Sequence, residues 1–483
     1  MQRKWFIIGG VILMAVAYGI VREKDDGEYA QMLERQRDRE MQATLAGPEQ
    51  PVPAKEFDWA GWAQRGLGQP LPDEFLENWV EDGQYWFVGY PKADVGVEIP
   101  FAPGRIAKTS TDTEPVNENP GFVGPQACRE CHADKFDSFI HTAHFHTSRP
   151  ASAETVHGSF AEGRNEMLTQ EPNVTFDMIR RDEELLQRVD FYGWQFEVPM
   201  QIAFGSAKMG ESYLYWHGDQ LYQHNVTYLT GGDCWVNSPG FVDGDAAYAR
   251  PIPSRCVECH TTYADFRKER NHFTPGSMIF GVSCERCHGP ARDHVSFHRA
   301  NPESQEAIAI TNPQDLTRQQ QLDICGQCHS GTAPRKTTPF AFRPGDRVSD
   351  HFEMTKAYLD ENSVHTSNQL NRLSHSKCFQ ESEMTCADCH NPHQLERGNM
   401  GLFSQRCLQC HDVTQCGMSG QIGERIVDNC VDCHLPLRDT DKLRFETKDG
   451  KLFPPLRDHH VRIDEEASDL FMKLLNAPPS AVK

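Results

Sequence analysis

The sequence contains none of three motifs that mark common enzyme classes: the Rossmann glycine fingerprint, the P-loop and the catalytic-serine elbow. Their absence weakens an assignment as a dehydrogenase or a hydrolase. Basic residues are also scarce, because 48 Lys and Arg face 69 Asp and Glu, which leaves a formal net charge of −21. Nucleic-acid binding needs a basic surface, so the charge argues against that function. No repeat of fixed length occurs, which excludes a solenoid.

Hydrophobic residues are few for a chain of this length. They make up 38% of the 483 residues, and 36 Gly and 30 Pro interrupt them. The length alone predicts two to four domains. A core built from so few apolar side chains would be thin, and the sequence therefore predicts that something other than side chains fills part of it.

Cysteine, in contrast, is abundant and regularly placed. Of 17 cysteines, 14 lie in seven copies of C-x-x-C-H, which is the attachment signature of c-type haem. The two thiols of each copy bond to the porphyrin and the histidine is the proximal iron ligand. The predicted attachment cysteines are Cys128, Cys131, Cys256, Cys259, Cys284, Cys287, Cys325, Cys328, Cys386, Cys389, Cys407, Cys410, Cys430 and Cys433. The predicted proximal histidines are His132, His260, His288, His329, His390, His411 and His434.

Two alternatives to haem exist for such cysteines. Paired C-x-x-C knuckles bind structural zinc, but zinc does not require a histidine directly after every second cysteine. Disulfides do not require that histidine either. The sequence therefore predicts seven covalently attached haems c, which form much of the core, so the chain without haem is not expected to fold.

A long apolar run lies at the N-terminus. Arg3 and Lys4 precede 17 uncharged residues at positions 5–21. As a helix this run would reach roughly 26 Å, near the lower limit for a bilayer span. The basic start favours a cytoplasmic N-terminus and an exported body. We therefore predict a single-pass anchor at residues 1–22 on the periplasmic side of the cytoplasmic membrane. The alternative is a signal peptide cleaved near 15–17, which would release a soluble periplasmic protein.

Composition divides the rest of the chain into four segments. Residues 23–55 read as a charged stalk and a linker, and residues 56–120 carry many aromatics but no motif. We interpret 56–120 as a segment that wraps the haem domain, with a separate small cap domain as the alternative. Residues 121–436 hold all seven motifs, and 437–483 form a polar tail that ends in a helix near residues 465–475.

The spacing of the motifs predicts the fold class. Between Cys131 of the first motif and Cys256 of the second lie 124 residues, and this interval contains runs of alternating aromatic and β-branched residues, which predict a small antiparallel β segment. The last three motifs are separated by 16 and 18 residues, enough for a helix and a turn each. The predicted fold is therefore mainly α with much irregular structure, packed around haems, with an N-terminal transmembrane helix.

Several strings resemble a known family. GFVGPQACRECHADKFDSFIHTAH, GVSCERCHGPARDHV, HSKCFQESEMTCADCHNPH and NCVDCHLP are similar to elements of the multihaem cytochromes c related to the tetrahaem electron-transfer partner of hydroxylamine oxidoreductase, the cytochrome c-554-like proteins. The resemblance covers residues 121–436. Seven motifs exceed the four of the best-known member, so its haem architecture does not transfer directly. Larger relatives reduce nitrite, tetrathionate or hydroxylamine, and those that reduce nitrite mark the open haem with C-x-x-C-K, which is absent here.

Full bis-histidine ligation requires seven distal histidines from the 15 outside the motifs. His144, His294 and His393 match family elements and are the first candidates. His146, His298, His365 and His375 follow as further candidate ligands. His459 and His460, near the C-terminus, rank low. The cysteines outside the motifs are Cys234, Cys378 and Cys416, for which the sequence suggests a Cys234–Cys378 disulfide.

Three functions remain open at this point. The first is a membrane-tethered electron carrier whose redox protein partners dock through a basic patch, since the chain is acidic. The second is an oxidoreductase that acts on a small nitrogen or sulfur compound at a five-coordinate haem. The third, a membrane quinol oxidase, is disfavoured because 106 residues separate Val21 from Cys128.

Overall fold

The computed structural model describes residues 86–89, 96–99, 119–191, 194–246, 248, 250–266, 271–355, 363–440 and 443–475. The predicted anchor at 1–22, the stalk at 23–55 and most of the aromatic segment at 56–120 lie outside the described residues. Within that segment β1 (Trp86–Gly89) and β2 (Gly96–Ile99) pair antiparallel.

Eleven strands lie between the first and second motifs, and they form two sheets. The strands are β3 (Ser148–Pro150), β4 (Glu166–Leu168), β5 (Val174–Arg181), β6 (Glu184–Phe191), β7 (Trp194–Pro199), β8 (Ile202–Phe204), β9 (Gly210–His217), β10 (Gln220–Gln223), β11 (Val226–Leu229), β12 (Cys234–Asn237) and β13 (Arg250–Pro251). The four-stranded sheet is an antiparallel meander in the order β4-β5-β6-β7. The seven-stranded sheet has the order β12-β11-β9-β10-β13, with β8 beside β9 and β3 beside β8.

Strand β9 lies at the centre of the two hydrophobic cores. Because side chains alternate across a strand, Tyr213 and Tyr215 point to one face and Leu214 and Trp216 to the other. The tyrosines pack with the four-stranded sheet. Leu214 and Trp216 pack with Val257 in the second motif. The seven-stranded sheet therefore connects the β region directly to a haem-binding motif.

Helices and short strands make up most of the remaining described chain. The helices are α1 (Pro125–Arg129), α2 (Ala133–Phe139), α3 (Ser254–His260), α4 (Cys284–His288), α5 (Arg292–Ala300), α6 (Arg318–His329), α7 (Val348–His351), α8 (Gln369–Ser374), α9 (Lys377–Gln380), α10 (Met400–Cys407), α11 (Ser419–Ile422), α12 (Val431–His434) and α13 (Glu465–Leu475). The strands are β14 (Thr261–Tyr263), β15 (Ile279–Phe280), β16 (Leu437–Asp439), β17 (Phe445–Thr447), β18 (Gly450–Leu452) and β19 (Pro455–Arg457). They pair as β14 with β15, β16 with β19 and β17 with β18. A helix at α13 lies where the sequence predicted one.

The predicted fold class is wrong in its proportions. The β segment lies between the first and second motifs as expected, but its two sheets are substantial, so the protein is not mainly α. The strand signal between the two motifs was correct, but the β region is larger than the small segment predicted from it. The number of strands that pair depends on long-range contacts, such as those of β9 with β8, β10 and β11, which a local sequence pattern does not show.

The membrane prediction is also corrected. Among the described residues no helix is long and apolar enough to cross a bilayer. Their longest helix, α6, has 12 residues, whereas a span needs about 20. The transmembrane helix in the predicted fold class and the single-pass localisation therefore find no support.

Candidate functional site

One cavity brings all seven motifs together. Its volume is about 4970 Å³, several times the roughly 300–1,000 Å³ of a site for one small molecule. Every cysteine and histidine of the seven motifs lines it. Divided equally, the volume is about 710 Å³ for each motif (4970/7), which is within the range for one bound molecule each.

Each motif presents its three functional side chains through a helical turn. The backbone N–H of the motif histidine donates to the carbonyl of the first cysteine, at 2.8 Å for His132 and Cys128 and at 2.9 Å for His390 and Cys386. Residues three and four apart lie on the same face of such a turn. The two thiols and the imidazole of a motif consequently face the cavity together.

Four motif histidines face a histidine from elsewhere in the chain. Ring centroids are 6.5 Å apart for His132 and His294, 6.1 Å for His144 and His329, 6.1 Å for His288 and His393, and 6.3 Å for His390 and His459. Two metal–nitrogen bonds of about 2.0 Å, with about 1.1 Å from each nitrogen to its ring centre, give a separation of about 6.2 Å. The four pairs therefore fit one haem iron between two imidazoles.

The orientation of the rings supports the same geometry. The Nδ1 atoms of His288, His329 and His434 lie 2.9, 2.7 and 2.8 Å from the backbone carbonyls of Thr311, Thr366 and Arg462. Nδ1 of His294 is 2.8 Å from the carbonyl of Ile308. A metal-binding histidine usually donates its second ring N–H in this way, because the bond fixes the tautomer and aims the other nitrogen at the metal. In these rings Nε2 is the nitrogen that remains for iron.

Burial favours the neutral form of five of the eight paired imidazoles. It lowers the pKa of His144 to about 4 and the pKa of His459 to about 4. Burial also lowers the pKa of His132, His390 and His393. A metal binds the neutral imidazole, so these rings are competent ligands at neutral pH.

The partner of each motif histidine comes from a distant part of the chain. His294 follows the third motif and faces the first, whereas His144 follows the first motif and faces the fourth. His393 follows the fifth motif and faces the third. His459 lies in the C-terminal tail and faces the fifth motif. The four pairs therefore bring together parts of the chain that are far apart in sequence, from residue 132 to residue 459.

The other predicted distal ligands are less well placed. His298 lines the cavity, but its Nε2 lies 3.1 Å from the carbonyl of Glu306. His146 does not line the cavity. His365 and His375 do line it, and the ring of His375 is 5.8 Å from that of His460. As iron ligands, all of the sequence candidates stay predictions.

Sequence reasoning ranked His459 low, yet it faces His390. Ser376 holds the tail that carries it, since its hydroxyl accepts from the Val461 N–H at 2.8 Å. Arg372 binds the buried Asp458 at 2.8 and 2.7 Å. No local signal in the sequence identifies such a long-range contact.

Three motif histidines have a different environment. No histidine pair of this spacing is found in the described residues for His260, His411 or His434. The ring of His260 instead stacks on Phe204 with a centroid distance of 4.2 Å. Its Nδ1 lies 3.2 Å from the carbonyl of Thr147.

The thiols of different motifs also interact across the cavity. The interacting pairs are Cys128 with Cys284, Cys259 with Cys328, Cys325 with Cys386, and Cys407 with Cys430. Cys389 additionally lies near Cys407, and Cys287 near Cys328. Together these contacts place the motifs in the order one, three, four, five, six, seven, with the second motif beside the fourth. Neither Cys234 nor Cys378 forms a disulfide in the structure, so the suggested Cys234–Cys378 bridge finds no support.

Glu285, inside the third motif, holds the segment just before the first motif, at Val123 and Gly124, through hydrogen bonds. Its side chain is buried and accepts from the N–H groups of Val123 at 2.9 Å, Gly124 at 2.7 Å and Ala291 at 3.0 Å. Burial raises the pKa of this carboxyl, and the three N–H donors oppose the rise. The carboxylate thus satisfies three backbone donors at once.

Replacing Glu285 with Gln is expected to lower the free energy of unfolding by about 1–3 kcal/mol, because an amide N–H₂ then faces backbone N–H donors. Glu130, inside the first motif, forms an exposed pair with Arg299, and Glu130→Gln is the matched control with an expected loss of about 1 kcal/mol or less. Denaturant unfolding of the haem-loaded protein measures both. Equal losses would contradict this role for Glu285.

Comparison with known proteins points to one family. The family model described as "Cytochrome c554 and c-prime" matches residues 243–289, which contain the second and third motifs. The dissimilatory sulfite reductase MccA of Wolinella succinogenes is 22% identical, and the similarity covers 77% of this chain and 58% of that protein. The multiheme cytochrome MtrA of Shewanella baltica is 26% identical over 28% of this chain and 44% of its own length. The chain thus spans little more than half the length of the first of these relatives.

A solved structure, the outer cell wall cytochrome OcwA, is similar over 67% of this chain and 78% of its own, with 16% identity and a TM-score of 0.44. The sequence relatives and the family model agree with the motifs and with the spacing of the imidazole pairs. The chain binds haem c, and its sequence similarities support a multihaem cytochrome c.

Proposed function

We propose that the protein carries seven haems c and transfers electrons between redox partners. The observation that supports this most directly is that all seven motifs line one cavity, with four of their histidines paired at 6.1 to 6.5 Å. Two axial imidazoles hold an iron in one geometry in both oxidation states, which suits electron transfer. Bound haem supplies the one-electron redox centre.

The residues of the chain have separate tasks in this proposal. The motif thiols attach each haem, and the motif histidines bind its iron. The carbonyls of Thr311, Thr366 and Arg462 orient three of those histidines. The contacts among motif thiols support a continuous path from the first motif to the seventh, with the second motif as a branch at the fourth. Electrons would enter at one end of this path and leave at another.

The partners in this proposal are redox proteins with a basic docking surface. The chain has a formal net charge of −21, and haem propionates would add further negative charge. A basic patch on the partner would be attracted to such a surface and would associate faster.

A second candidate function is the reduction of a small sulfur or nitrogen compound at the haem of the second motif. The observation in its favour is that His260 has no histidine pair among the described residues, while Lys208 and His157 also line the cavity. The similarity to a sulfite reductase over 77% of the chain points the same way.

The pyridine haemochrome assay and an electron paramagnetic resonance spectrum of the oxidised protein test both functions. Seven haems per chain, all low-spin, are the expected result for the electron carrier. A high-spin signal that shifts with sulfite, nitrite or hydroxylamine would favour the second candidate. A haem count well below seven would sink the proposal.

A further inference from the structure

A buried carboxylate holds an imidazole at the edge of the cavity. Glu211, on β9, is fully buried, and its Oε2 lies 3.0 Å from Nδ1 of His157. Its Oε1 accepts from the hydroxyl of Tyr213 at 2.7 Å and lies 3.3 Å from the backbone nitrogen of His157. Arg149, on β3, forms an ion pair with the same carboxylate. Because these contacts converge on one carboxylate, the His157 ring has a fixed orientation.

The other edge of this ring faces the cavity. The His157 side chain is 54% exposed, and it is among the residues that line the cavity. Nη2 of Arg149 also lies 3.3 Å from Nδ1 of His157, but the Glu211 carboxylate is nearer and can accept a hydrogen bond from Nδ1–H. With Nδ1–H directed at Glu211, Nε2 is the nitrogen that can gain or lose a proton in the cavity.

The chain segment 147–149 contacts both this unit and the histidine of the second motif. The hydroxyls of Thr147 and Ser148 donate to the His260 carbonyl at 2.9 and 2.7 Å. Arg149 is the next residue along. Ser148 is also paired with Phe204 across β3 and β8, and Phe204 stacks on the His260 ring. The His157 unit is therefore rigidly connected to the second motif.

We propose that His157 is a redox-linked proton site for the haem of the second motif. With haem bound at that motif, Nε2 of His157 would take up one proton from solvent when a redox protein supplies one electron, and it would release the proton when that electron leaves. This inference rests on the proposed presence of a haem at that motif.

The charges around His157 give the reason for the coupling. Arg149 and His146 are the basic groups near His157, Lys208 lies near His146, and Glu211 is the facing carboxylate. Burial and Glu211 raise the pKa of Tyr213 well above its usual value, so that group stays a neutral donor. Arg149 already neutralises Glu211. The charge near His157 that changes is then the electron added to the haem. A nearby negative charge favours the protonated, imidazolium form of His157.

The test compares the wild type with His157→Gln. Potentiometric titrations of the full haem-loaded chain are run between about pH 6 and pH 8, the range in which an imidazole titrates. We expect one wild-type haem to become harder to reduce as the pH rises, by up to about tenfold in its reduced-to-oxidised ratio per pH unit. In His157→Gln the pH dependence of that haem is lost, and the other haems keep theirs.

His272→Gln is the matched control. In the wild type, Nδ1 of His272 lies 2.9 Å from a carboxylate oxygen of Asp219, much as Nδ1 of His157 contacts Glu211, but His272 does not line the cavity. This variant is expected to behave like the wild type. Unchanged pH dependence in His157→Gln would overturn the inference, as would an equal loss in both variants. Mass spectrometry of the peptide around Cys256 and Cys259 separates this result from failure of the proposed function, because a peptide without haem would overturn both.

Discussion

Replacing His294 with Ala converts one haem from low-spin to high-spin. His294 faces His132 at a ring distance of 6.5 Å, and its Nδ1 is held by the carbonyl of Ile308. Removing the imidazole leaves the iron of the first motif with a single histidine. The expected electron paramagnetic resonance spectrum therefore gains a high-spin signal that integrates to one haem per chain.

His298 provides a control on the same helix, one turn away. It also lines the cavity, but its Nε2 is engaged by the carbonyl of Glu306. His298→Ala should leave every haem low-spin. If His298→Ala produced the high-spin signal and His294→Ala did not, the pairing of His132 with His294 would be incorrect. Added imidazole should restore the low-spin spectrum of His294→Ala, which distinguishes a lost ligand from a misfolded site.

Replacing Gly281 with Ala has the largest expected effect on stability. Gly281 has a φ of +70°, and a Cβ built on it would lie 2.2 Å from the backbone oxygen of Phe145. The residues on either side are tied down, since Val282 N–H donates to the His144 carbonyl at 2.9 Å. Neither the backbone at Gly281 nor the backbone at Phe145 can shift to make room without moving His144 away from His329. We expect a loss of roughly 3–5 kcal/mol in the free energy of unfolding.

Gly163 is the matched control for the backbone strain alone. Its φ is +77°, and no atom lies within 4 Å of a Cβ at that position. Gly163→Ala should cost about 1–2 kcal/mol, the price of the left-handed conformation. Thermal unfolding followed at the haem absorbance compares the two. Similar losses would show that the contact with Phe145 is not what makes Gly281 necessary.

The sequence predicted the chemistry of the site better than its connections. The seven motifs are local, because three side chains one helical turn apart suffice to attach a haem, and no tertiary information is needed to find them. His144, His294 and His393 could also be proposed, since each matches an element of the family that the sequence resembles. His459 could not, because its position depends on the Arg372–Asp458 pair that folds the tail back.

The sheets were underestimated for a related reason. Strand β9 pairs with β8, β10 and β11, and it packs one face against the four-stranded sheet and the other against the second motif. A local pattern of apolar residues predicts strands but shows neither how many of them pair nor with which partners. The contribution of His157 was equally hidden, because its carboxylate partner lies 54 residues away in sequence.

The histidine pairs have a consequence for how the chain unfolds. With iron between them, they act as cross-links that close overlapping loops: 132 to 294, 144 to 329, 288 to 393 and 390 to 459. Closing a loop of about 100 residues removes roughly 4.7 kcal/mol of chain entropy from the unfolded state in the simplest cross-link model. Because every loop overlaps the next, complete unfolding requires all four pairs to release their irons. The haem domain should therefore melt as one cooperative unit in which the axial ligands are lost together, while the covalently attached haems stay on the chain.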